Sequence, residues 1–264
     1  MTVIEYGKQN TNVAVLLHGG GLSWWNYRDV AERLSKDFHV VLPVLDGHGG
    51  ETFTSIEDNA ARILSYIDDR FGGQVAVLGG LSLGGQIALE MLAQRPELCR
   101  FALIESALVK PSRLTRALIG PTFAISYGLI KQRWFARWQA SYLGIPKTLF
   151  EDYYRDTCAI GKEDLIAFLE ANCGYTMKPV ETNARVKIVA GSREQRRILE
   201  SAKMIHRAIP GSKLEILPGL RHGDLSLNDP AQYARMMKEG SEHHDENGTT
   251  DPAAFSGGGR SGCI

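Results

Sequence analysis

The chain reads as an α/β protein: a doubly wound, mostly parallel sheet with a helical cap inserted between two strands. Three observations predict this. Short runs rich in Val, Ile and Leu alternate with helical patterns through most of the 264 residues. The first four of these runs are almost unbroken in apolar character, as strands buried on both faces must be. One long stretch, from Val109 to about Val180, breaks the alternation and holds only helical patterns.

Taken in order, a strand over residues 12–17 runs into His18-Gly19-Gly20-Gly21, and a helix follows over 27–36. A strand over 38–44 leads to the turn Asp46-Gly47-His48-Gly49. The helix over 56–71 opens on Ser55-Ile56-Glu57-Asp58, which resembles a capping box. Next come a strand over 74–78, a helix over 86–94 stopped before Pro96, and a strand over 101–104 ending at Glu105. After the cap, a strand over 187–190 precedes Gly191-Ser192-Arg193-Glu194 and a helix over 195–208 that ends before Pro210. The last strand, 214–217, leads to Gly219-Leu220-Arg221-His222-Gly223 and a final helix.

Residues 1–109 and 181–240 therefore form the core, and 110–180 form a cap of helical pieces separated by Gly120–Pro121, Gly128, Gly144–Pro146 and Gly161. Residues 241–264, with His243, His244 and a Ser-Gly-rich end, read as a disordered tail. Thirty basic residues balance thirty acidic ones, which argues against a nucleic-acid partner. Cys99, Cys158, Cys173 and Cys263 are scattered, so neither a disulfide framework nor a zinc site is expected. No metal or organic cofactor is expected either. The N-terminus lacks a signal-peptide pattern, and no apolar run reaches the ~18 residues of a membrane span, so the expected location is cytoplasmic.

Chemistry concentrates at Gly80-Leu81-Ser82-Leu83-Gly84. The bare pattern recurs by chance, but here a strand precedes it and a helix follows. A serine on so sharp a turn presents its hydroxyl above the helix N-terminus. A serine hydroxyl needs a base, an orienter for that base and an oxyanion site. His222 follows the last strand and Glu194 the one before it; Glu105 and Asp224 are rival acids. The glycines after His18 leave backbone N–H groups free to face a developing anion. His18 and His48 read as structural supports.

With these residues in hand, the chain resembles the α/β-hydrolase fold family over most of residues 1–240. The Gly-x-Ser-x-Gly turn, the His-Gly-Gly-Gly segment, the late Gly-x-x-acid and the His position match it in order and spacing. The resemblance implies a Ser-His-acid triad of Ser82, His222 and Glu194, with the N–H groups of Gly20 and Leu83 as oxyanion hole. Two departures stand out. Glu194 occupies a position where aspartate is commoner, and only about eleven residues precede the strand ending at Leu17, so the opening antiparallel strands must be shortened or partly lost.

Gly21, Trp24 and Trp25 are candidates to wall the substrate site. So are Phe123, Tyr127, Trp134 and Trp138 in the aromatic-rich cap, with Arg133 and Arg137. Between Glu105 and Glu151 the chain holds no acid but seven bases: Lys110, Arg113, Arg116, Lys131, Arg133, Arg137 and Lys147. Such a face is solvated and balanced by the acidic segment beyond it, or it draws an anionic or acyl small-molecule substrate, or it meets an anionic membrane surface. Anionic substrate ranks ahead of membrane. The expected function is hydrolysis of a carboxylic ester or thioester. The alternatives are a lyase, C–C cleavage or acyl transfer on the same scaffold, and a ligand receptor with a vestigial triad.

Overall fold

The computed structural model describes residues 1–242. The elements run β1 (Val3–Tyr6), β2 (Val13–Leu17), α1 (Arg28–Leu34), β3 (His39–Pro43), α2 (Ile56–Phe71), β4 (Val75–Leu81), α3 (Leu83–Gln94) and β5 (Cys99–Glu105). Four helices follow before the next strand: α4 (Arg113–Ile130), α5 (Arg133–Tyr142), α6 (Phe150–Ala159) and α7 (Lys162–Gly174). The chain closes with β6 (Arg185–Gly191), α8 (Arg196–Ala208), β7 (Lys213–Leu217), α9 (Asp224–Asn228) and α10 (Pro230–Ser241). The expected tail, with His243, His244 and Cys263, lies outside the described residues apart from its first two positions.

Seven strands form one sheet in the order β1-β3-β2-β4-β5-β6-β7. All neighbours are parallel except β1, which pairs antiparallel with β3. Alternation along β2 shows how the sheet is covered on both sides. Val13, Val15 and Leu17 face the layer holding Ile63, Ile67, Ile87 and Ile205. Ala14 and Leu16 face the layer holding Val30, Leu34, Tyr233 and Met237. Helices α2, α3 and α8 thus cover one face, and α1 and α10 the other. With both faces covered, unbroken apolar strands are what burial demands.

Sequence and structure differ in three places. The short antiparallel strand β1 agrees with the expectation that the opening strands are shortened, but its position was not marked: Val-Ile-Glu-Tyr is only half buried and shows no continuous apolar run. Helix α3 starts at Leu83, immediately after the serine, not at Gln86. Helix α4 runs straight through Gly120, Pro121 and Gly128, which were expected to break it. Pro121 and Ala117, whose carbonyl loses its helical partner to the proline ring, both lie on the exposed side, where the freed carbonyl is open to solvent.

Because β2, β4, β5, β6 and β7 run parallel, their carboxyl ends share one edge. Register fixes that edge in detail: Leu17 sits beside Gly80, Leu81 beside Glu105, Glu105 beside Val189, and Gly191 beside Leu217. The residues that follow these ends are the ones singled out above.

Candidate active site

Ser82 sits between β4 and α3 with φ 53° and ψ −109°, a backbone conformation that non-glycine residues rarely adopt. Two hydrogen bonds hold it there: its N–H donates to the Glu105 carbonyl at 2.9 Å, and its carbonyl accepts from Gln86 N–H at 3.0 Å. The flanking glycines are required by space. A methyl on Gly80 would lie 2.6 Å from the Gly84 carbonyl carbon, and one on Gly84 would lie 2.6 Å from the His18 carbonyl oxygen. Among the described residues the Ser82 hydroxyl holds no hydrogen bond within 3.5 Å, and the residue is partly exposed.

Past β7, the loop carrying His222 returns to this turn. Gly223 packs on Leu81, the residue before Ser82, with its Cβ position 3.2 Å from Leu81 Cδ2. His222 Nδ1 lies 2.8 Å from Glu194 Oε2, while its side chain remains 43% exposed. Glu194 is locked from the other side: its Oε1 accepts from Ser106 Oγ at 2.6 Å and from Gly191 N–H at 2.8 Å. Burial on its own would raise the Glu194 carboxyl. Its bonds to His222, Ser106 and Gly191 outweigh that and bring it below the usual carboxylate range. A carboxylate at Nδ1 keeps the proton on that nitrogen and leaves Nε2 as the basic one.

The rival acids are engaged elsewhere. Glu105 is buried beneath the site, where Oε1 accepts from Ser226 N–H at 3.3 Å and Oε2 has no partner among the described residues. Burial pushes its carboxyl up to about 7. Asp224 accepts from Arg221 N–H at 2.7 Å and from Asn228 at 3.0 Å. Neither reaches the imidazole.

Gly20 and Leu83 lie side by side: a Cβ on Gly20 would stand 3.6 Å from Leu83 Cβ. Gly20 N–H has no acceptor among the described residues, and Leu83 begins its helix, where the N–H is an orphan donor. Two neutral histidines shape this segment. His18 Nε2 accepts from Leu45 N–H at 3.1 Å, and His48 Nε2 accepts from Gly21 N–H at 2.8 Å. Burial lowers them to about 3 and about 4, so both keep the lone pair that the backbone amide needs. They support the glycine turn as expected and stand apart from the reacting groups.

The proposed wall residues divide. Trp25 is fully buried, and its Nε1–H donates to Asp156 Oδ2 at 2.9 Å, so it clasps the cap and does not line the site. Trp24 is partly exposed beneath the Arg28 guanidinium, 5.1 Å from its ring centroid. Phe123 packs on the core, and Tyr127 Oη donates to the Ile160 carbonyl at 2.6 Å. Trp134 and Trp138 project outward, 66% and 61% exposed, from the side of α5 opposite its buried Ala136 and Ala140. Arg133 pairs with Glu151 and, like Arg137, lies over Phe150. These four residues do not converge on Ser82, because α5 turns its small alanines inward and its large side chains out.

A sequence profile of the alpha/beta hydrolase family matches residues 14–236. The chain belongs to that family. A protein of Gibberella zeae named AB hydrolase superfamily protein is 30% identical over 144 residues, 52% of this chain and 49% of its own length. The pimeloyl-[acyl-carrier protein] methyl ester esterase of Nitrosomonas europaea is 35% identical over 83 residues, 31% of this chain and 32% of its own. The matched segments thus span half or less of these relatives. Among solved structures, the enol-lactonase of Burkholderia xenovorans superposes with a TM-score of 0.74 at 16% identity, covering 90% of this chain and 95% of that one. A thermophilic esterase of Thermogutta terrifontis gives 0.70 at 16% identity, covering 90% and 91%. At such identity these structures establish the shared fold.

Three contributors to this candidate site carry no signal in the sequence. Ser106, with φ 57°, donates to Glu194 from the end of β5. Asn26 accepts from Gly19 N–H and donates to Ser226 Oγ, both at 3.3 Å, tying the glycine turn to the loop of His222. Phe168 of α7 stacks on His48 at 4.3 Å and covers Gly20. Each acts across a long stretch of chain, and no local pattern marks it.

Proposed function

We propose that the protein hydrolyses a carboxylic ester or thioester through Ser82. The observation that carries this reading is the Glu194–His222 contact of 2.8 Å at the sheet edge where the strained turn exposes Ser82. Ser82 Oγ attacks the carbonyl carbon while its proton passes to His222 Nε2. Glu194 holds the imidazole and stabilises its cation. The carbonyl oxygen gains negative charge and accepts from the Gly20 and Leu83 N–H groups, each worth about 3 kcal/mol in such sites. The C–O or C–S bond breaks, and His222 returns the proton to the leaving alcohol or thiol. Water, deprotonated by the same imidazole, then attacks the acyl-serine and releases the acid.

An arylester such as p-nitrophenyl butyrate and a fluorophosphonate probe test this directly. Turnover together with labelling of Ser82, both lost in Ser82→Ala at unchanged melting temperature, is the expected result; activity persisting at a tenth of wild type rejects the assignment.

A further inference from the structure

The outer face of the cap has no function in this chemistry. Of the ten large hydrophobic residues exposed among the described residues, eight lie between Leu114 and Leu143. They are ordered. In α4, Leu114, Leu118, Ile125 and Leu129 fall within one narrow stripe at helical spacing, opposite the face that buries Ile119 and Ile130. Ile125 is 91% exposed. In α5, Trp134, Trp138 and Tyr142 recur every fourth residue, again opposite the buried alanines. Exposed apolar stripes of this kind on a folded protein mark a contact site.

Charge identifies the partner. Seven bases and no acid lie between Glu105 and Glu151. Among the described residues only two of the seven are in salt bridges, Lys110 with Glu200 and Arg133 with Glu151. Arg113, Arg116, Lys131, Arg137 and Lys147 hold no ion pair there; Arg116 lies against Gly174 of α7, Lys131 over the Tyr127 ring and Arg137 over Phe150. A second copy of the chain docking by a two-fold would set these cations against one another. An anionic lipid surface offers the opposite charge, an apolar layer for leucine and isoleucine, and the interfacial depth that tryptophan and tyrosine favour. No helix among the described residues is long and apolar enough to cross a membrane. We infer that the α4–α5 face docks the protein flat on an anionic membrane surface.

Binding of the full chain to vesicles tests this, with phosphatidylcholine alone compared against phosphatidylcholine containing about 30 mol% phosphatidylglycerol. Expected are at least about tenfold tighter binding to the anionic vesicles, loss of binding in high salt, and a blue shift of tryptophan emission that Trp134→Phe/Trp138→Phe removes. The double variant Leu118→Ser/Ile125→Ser should weaken vesicle binding about tenfold while arylester turnover in free solution stays as in wild type. Equal binding to neutral vesicles, or none to either, overturns the proposal. So does a wild-type dimer in sedimentation velocity that the serine variant dissociates, which would make a second copy the occupant. Only the arylester control depends on Ser82; the vesicle and sedimentation outcomes do not, so their failure leaves the hydrolytic reading untouched.

Discussion

Ser106 Oγ donates to Glu194 Oε1 at 2.6 Å from a backbone held at φ 57°, so a residue with no reacting group of its own sets how the acid meets the imidazole. With Ser106 and Gly191 on one carboxylate oxygen, the other is committed to His222. A hydrogen bond to a charged group is worth about 1.5–3 kcal/mol, so Ser106→Ala should lower kcat about tenfold or more with little change in KM. Ser106→Gly, which also relieves the positive φ, should lose as much. Full activity in the glycine variant would mean that backbone strain, not the hydroxyl, was at stake.

The two buried glutamates should separate cleanly in kinetics. Glu194→Gln leaves the wrong hydrogen-bonding pattern at His222 Nδ1, and kcat should fall by about 10³–10⁴. Glu105→Gln touches Ser226 and not the imidazole, so kcat should stay within about tenfold of wild type. The reverse order would transfer the orienting role to Glu105.

Stability should carry the mark of Glu105 against pH. Burial raises its carboxyl to about 7, whereas an unfolded chain titrates near 4.3. Between those values the folded protein keeps a proton that the unfolded chain has released. The contribution is therefore complete below about pH 4 and is lost as pH rises through about 7, an effect of about 4 kcal/mol. His18 and His48 work in the opposite direction: lowered by burial to about 3 and about 4, they favour the fold above about pH 6.5 and cease to as pH falls. The difference in melting temperature between Glu105→Gln and wild type isolates the carboxyl and should be larger, in favour of glutamine, at pH 8 than at pH 5. A difference that is the same at both values rules this account out.

Gly84 offers a test of the turn itself. A methyl there overlaps the end of β2 at Leu17 and His18. Gly84→Ala should destabilise by about 4 kcal/mol or more, seen as a large drop in denaturation midpoint, because two strand ends would have to part. A midpoint near wild type would show that the turn yields more readily than its packing indicates.

The sheet was legible because β2, β3, β4 and β5 are covered on both sides and therefore written as uninterrupted apolar runs. Half-buried β1 left no such trace, and the proline of α4 misled because an exposed helix face tolerates it. Ser82, Glu194 and His222 stood out as candidates because each follows a strand end within a few residues. Asn26 and Ser226, which meet across 200 residues, could not be, since only the closed fold brings them together. The cap aromatics were legible as a cluster, but not which way α5 would turn them.

Trp25 and Arg28, at the glycine turn's end of the molecule, grip Asp156 and Asp152 of α6 at 2.9 Å and 2.6 Å. These two latches make α6 a fixed jamb: if it swung outward, it would pull on the very stretch that presents Gly20. A substrate admitted by displacing α6 would therefore enter at the expense of the proposed anion cradle.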